Sequence, residues 1–69
     1  MEIRNEEHAR EMLLEWGKMP LPLRIKEIRL AIEQLELNSM YYEQKGNEQG
    51  VKRTERCARI LSEHLKTLD

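Results

Sequence analysis

Sixty-nine residues, 39% of them hydrophobic, with no Phe, one Trp and two Tyr, allow one domain at most, and its core has to come from Leu, Ile, Met and Ala. A core of that size rarely supplies more than roughly 3–5 kcal/mol, and the single cysteine, Cys57, excludes an internal disulfide and with it a secreted disulfide scaffold. Charged residues make up 36% of the chain at a net charge of −1, which excludes a polybasic nucleic-acid tail and an acidic disordered tail alike, so self-association is the leading remaining support.

The chain opens Met1-Glu2-Ile3-Arg4 with no signal-peptide core, and no apolar run approaches the roughly 20 residues that span a bilayer. A cytoplasmic protein without membrane association is expected. Asn5 precedes Glu6 and Glu7, and Ala9, Met12, Leu13 and Trp16 follow at helical spacing before Gly17. That pattern of cap, acidic first turn, apolar face and glycine stop predicts a first helix over about 5–17.

Pro20 and Pro22 lie in the next stretch. Each proline lacks an amide donor and biases the residue before it away from α geometry. A linker over 18–21 is predicted, with Pro22 suited to the first turn of a second helix over about 22–45. In that helix Leu21, Ile25, Ile28, Ile32, Leu35 and Tyr42 recur at 4-3-4-3 spacing, broken only at Ser39, as in a coiled-coil seam.

Gly46-Asn47-Glu48-Gln49-Gly50 interrupts the pattern, and extending the seam would bring Gly46, Gln49 and Arg53 into the core. A turn over 46–50 is predicted. Val51, Thr54, Ala58, Leu61, Leu65 and Leu68 then define a third helix over about 51–68. Residues 18–30 carry four bases against Glu27, residues 31–49 carry four acids against Lys45, and the third helix begins with Lys52, Arg53, Arg56 and Arg59 and ends with Glu63, Lys66 and Asp69. Folded back antiparallel, its basic start would lie along the acidic end of the second helix, with Glu36 and Glu43 as the offsetting carboxylates. The expected fold is all-α: a short N-terminal helix followed by an antiparallel helical hairpin, one domain over 1–69, completed by dimerisation.

The second helix has a further stripe, Leu23, Leu30, Leu37 and Tyr41, turned away from its seam. The short first helix cannot shield all of it, so the remainder is a candidate interface for a second copy or a protein partner. Met12, Trp16, Met19, Met40, Tyr41 and Tyr42 are expected to gather where the stripe ends, side chains that are enriched at interfaces. Trp16, Leu30, Leu37, Met40 and Tyr41 are accordingly the candidate partner-binding residues.

Signals for chemistry are weak. His8 and Glu11 stand at i, i+3, which makes only two ligands of a metal site. Glu33 and Glu36 form a lone Glu-x-x-Glu without the second acidic pair of magnesium-dependent nucleotide hydrolases. Cys57 would need a lowered pKa to be nucleophilic, with Arg53 and Arg56 as candidate sources of positive field. Nothing resembles a phosphate-binding glycine loop, a Cys/His framework or a nucleophile elbow, so no catalytic residue, metal ligand or cofactor is assigned. The expected function is a non-enzymatic protein–protein interaction module, a small regulator or inhibitor acting as a helical homodimer. The alternative is a small DNA- or RNA-binding regulator using Lys52, Arg53, Arg56 and Arg59, because cations in the first turns of a helix oppose its macrodipole unless something offsets them.

Overall fold

The computed structural model describes residues 2–68; Asp69, placed by its charge at the end of the third helix, lies outside them. Among the described residues there are three helices and no strand: α1 Glu6–Trp16, α2 Leu21–Gln44 and α3 Glu48–Lys66. α3 folds back along α2, and α1 rests mainly on α3, with a smaller contact on α2. The molecule measures 39 × 19 × 18 Å, its long dimension set by α2, since 24 residues at the helical rise make about 36 Å.

Each helix begins where a side chain or a proline disposes of amides that have no helical partner. At α1 the Asn5 side chain accepts from the His8 amide at 2.7 Å, while His8 Nδ1 accepts from the Arg4 amide at 3.0 Å. This reciprocal cap is anchored by Ile3, which is buried in the core just ahead of it. α2 starts without a capping side chain, with Pro22 in its first turn, where a missing N–H costs nothing.

The hairpin turn is shorter than the predicted 46–50, and α3 begins three residues early. Gly46 takes a positive φ of 72°, the Asn47 amide donates to the Tyr42 carbonyl at 2.9 Å, and the Gly46 amide donates to the Glu43 carbonyl at 3.1 Å. That is a Schellman ending, and it frees Asn47 to cap the next helix, its side chain accepting from the Gly50 amide at 2.9 Å. Gly50, expected to be a turn glycine, is therefore helical and buried, directly beneath the Tyr42 ring.

The core is one cluster of Ile3, Ala9, Trp16, Ile28, Ala31, Leu35, Cys57 and Leu61. The inner face of α2 follows the predicted seam through Ile28 and Leu35, both 1% exposed or less, but Leu21 is 45% exposed because the seam runs out at the corner. On α3 the buried positions are Gly50, Thr54, Cys57 and Leu61, so Cys57, which is not among the predicted seam positions, is central. The buried face is turned toward α1, which covers the Cys57 side. Among the described residues Thr54 is the one polar residue with a buried side chain, and its hydroxyl lies 2.9 Å from the Gly50 and Val51 carbonyl oxygens, which satisfies its donor within the helix.

Gly50 gives a test in which propensity and packing oppose each other. A Cβ there would lie 2.6–2.9 Å from three Tyr42 ring atoms, so the ring would have to move bodily. Gly50→Ala should gain up to about 1 kcal/mol in helix propensity and lose about 1–3 kcal/mol to overpacking. The expected outcome of urea denaturation is a lower midpoint; a raised one would show that the Tyr42 contact is not tight.

Candidate functional site

On α2, Leu23, Leu30 and Leu37 stand seven residues apart, Glu27 and Gln34 lie between them and Tyr41 follows Leu37 by four. Together they make a complete 4-3-4-3-4 heptad series on the side away from the core. Leu23 is 51% exposed, Leu30 49%, Leu37 58%, Met40 60% and Tyr41 57%. The Tyr41 ring is held edge-on to Tyr42, with centroids 5.9 Å apart, and the Lys45 ammonium lies 5.6 Å from its centroid. Gln34 donates to Asn38 at 3.1 Å, keeping its amide on one flank of the stripe.

The reason this stripe is uncovered is one of length. An 11-residue helix is about 16 Å long, less than half of α2, and α1 lies chiefly against α3. Its end reaches α2 through Trp16, leaving a groove bounded by Trp16, Glu27, Leu30, Ala31, Glu33, Gln34 and Leu37. Arg24 fixes the corner, donating to the Gly17 carbonyl at 3.2 Å and to the Met19 carbonyl at 3.0 Å. It thereby satisfies carbonyls of the corner between α1 and α2 that have no helical donor, a role that no residue spacing announced.

Two expectations about this face need correction. Trp16 is not a presented side chain: it is 5% exposed and belongs to the core cluster, contributing only one wall of the groove. The expected gathering of Met12, Trp16, Met19, Met40, Tyr41 and Tyr42 does not form either. Met12 and Met19 pack against the core cluster that contains Trp16, whereas residues 40–42 sit at the hairpin end of the unbroken α2, and Met40 and Tyr41 stay exposed there.

The basic run of α3 also has different partners from those expected. Arg56 Nε lies 2.9 Å from Glu6 Oε1, and Arg53 donates to the Tyr42 hydroxyl at 3.2 Å with its guanidinium 5.5 Å from the ring centroid. The ion pairs among the described residues are Arg56–Glu6 and Lys18–Glu15; Glu36 and Glu43 make no ion pair with the run, although Glu43 lines one groove with Lys52 and Glu36 another with Arg59. The acidic first turn of α1 takes that place because α1 crosses the same side of α3. Lys52 and Arg59 are exposed and belong to neither pair, and Gln49, Lys52, Arg53 and Arg56 line a shallow solvent-facing depression.

The residues that suggested chemistry are engaged structurally. His8 Nδ1 accepts a backbone amide, and among the described residues no group of three or more His, Cys, Asp or Glu is placed to hold a metal ion. Cys57 is fully buried. Burial pushes its thiol pKa up, the Glu6 carboxylate adds to the rise, and Arg53, Arg56 and Arg10 only partly oppose it. No helix among the described residues is long and apolar enough to cross a membrane. No family model matches the chain, and neither the curated proteins nor the solved structures include a match to it.

The raised thiol pKa has a pH consequence. The folded state favours the neutral thiol, so its contribution to stability is fully present below the unfolded thiol pKa of about 8.5 and is lost as pH rises through the folded value. Denaturation midpoints should fall as pH is raised above about 8.5, with a shallower fall in Cys57→Ala. Thiol reagents at pH 8 should label the native chain far more slowly than the urea-unfolded chain; equal rates would contradict the burial.

Proposed function

We propose that this chain is a non-enzymatic protein–protein interaction module, a small regulator or inhibitor that acts as a helical homodimer through the outer face of α2. The observation that supports this reading is the heptad-spaced row of Leu23, Leu30 and Leu37, each about half exposed or more, beside a groove floored by Leu30 and Leu37. Leucines repeated every seven residues on the solvent side have no role in the core of this chain. A helix laid against them would remove each from water, at roughly 1.5–3 kcal/mol per fully buried side chain. The core of Ile28, Leu35 and Leu61 is separate from this face, so association and folding can be perturbed independently.

Sedimentation velocity from micromolar to millimolar concentration tests the reading. The native chain should sediment increasingly as a dimer, and Leu37→Asp should remain monomeric while keeping its helical circular dichroism. Leu61→Asp, at a fully buried position, should instead lose the helical signal. A folded native monomer at every concentration would remove the homodimer.

The second reading is a small DNA- or RNA-binding regulator, and the observation that favours it is that Lys52 and Arg59 on α3 are exposed and outside the ion pairs. Fluorescence anisotropy with duplex and single-stranded probes at low salt decides it. Binding should weaken steeply with salt as counterion release requires, and Lys52→Glu with Arg59→Glu should abolish it. No binding at micromolar protein would end this reading.

A further inference from the structure

We infer that the occupant of the α2 outer face is the same face of a second copy, lying antiparallel across a two-fold axis beside Leu30. This deepens the proposed function and rests on its reading of α2 as the docking surface. It commits to a direction, which the apolar spacing alone leaves open.

Charge carries the direction. The first half of α2 holds Arg24, Lys26 and Arg29 against Glu27, and the second half holds Glu33, Glu36 and Glu43. A parallel pair would set like halves side by side and place Glu27 against Glu27 inside the seam. An antiparallel pair sets each basic half against the acidic half of the other copy.

The register follows from the exposed side chains. With the axis beside Leu30, that residue meets its own counterpart, and Leu23 meets Leu37 of the second copy. Lys26 and Glu33 are seven residues apart on one flank of the stripe and both outside the ion pairs, so Lys26 comes beside Glu33 of the second copy, twice by symmetry. Met40 and Tyr41 then reach the corner formed by residues 19–21 of the other copy, where Leu21 is 45% exposed. No other placement of two antiparallel α2 helices covers all three leucines with leucine.

The area is sufficient. Leu23, Leu30, Leu37, Met40 and Tyr41 together leave roughly 500 Å² open, in the range of the largest apolar patch on an ordinary monomer. Counting both copies and the flanking Lys26, Glu27, Glu33 and Gln34, full cover of these side chains would approach the roughly 1,200 Å² at which specific interfaces begin.

Single cysteines at exposed positions test the direction, with buried Cys57 retained and the native chain as the blank. Under mild oxidation, Leu23→Cys alone and Leu37→Cys alone should give little disulfide-linked dimer, while an equimolar mixture should link, because only the crossed pair comes within the roughly 7 Å Cα separation that a disulfide tolerates. Lys26→Glu and Glu33→Lys should each weaken the dimer about tenfold, given two symmetric surface pairs made repulsive, and the double variant should regain native affinity. Leu23→Cys linking to itself would overturn the antiparallel arrangement and leave the docking face standing. A dimer that links in neither experiment would move the contact to another face, and a native chain that stays monomeric in sedimentation would overturn this inference together with the homodimer reading.

Discussion

The packing of α3 into the inner face of α2 is the constraint from which the rest of the molecule follows. α3 presents Gly50, Thr54 and Cys57 before its first large buried residue, Leu61, so the two helices approach closely at the hairpin end, where the Tyr42 ring lies on Gly50. Close approach there requires a tight connection, which Gly46 and Asn47 supply by ending one helix and capping the next within the same few hydrogen bonds. It also brings Arg53 against the Tyr42 ring and hydroxyl, which removes that cation from the expected pairing with α2 carboxylates.

A single interface of this kind uses only one side of the longest helix. α1 completes the core from the α3 side through Ala9 and Trp16, with Ile3 packed ahead of its cap, and the Arg56–Glu6 pair and the Arg24 contacts set where it lies. The exposed ion pair selects orientation more than it stabilises, since such pairs are worth about 0–1 kcal/mol. Having gone to α3, α1 leaves the outer leucines of α2 in water. The uncovered stripe is thus a consequence of where the short helix packs, chiefly on α3 and only through its end on α2.

Much of this architecture was legible in the residues. The two prolines, the phase break at the glycines and the 4-3 spacing of Ile28, Ile32 and Leu35 marked the elements because each acts through local backbone geometry or helical period. The outer stripe was legible for the same reason: Leu23, Leu30 and Leu37 repeat at a fixed interval. What escaped depends on contacts distant in sequence. Gly50 read as a turn residue because only the Tyr42 ring explains a helical glycine there. Ile3 carried no periodic signal, and the burial of Trp16, the role of Arg24 and the Arg56–Glu6 pair all require knowing where α1 lies.

On the proposed reading of α2, the polar residues inside the stripe have a physical purpose. A seam with leucine at every layer would be apolar enough to pair in any direction and to cling to other exposed helices. Glu27 and Gln34 occupy alternate layers and so make most registers unfavourable, because a carboxylate set against a leucine or another carboxylate loses its water without gaining a partner. An antiparallel register that sets Glu27 beside Gln34 of the second copy keeps the three leucines together and discards the competing pairings. The cost is a weaker contact, made beside a core of Ile28, Leu35, Cys57 and Leu61 that each chain carries by itself, so the extent of the proposed pairing would follow concentration.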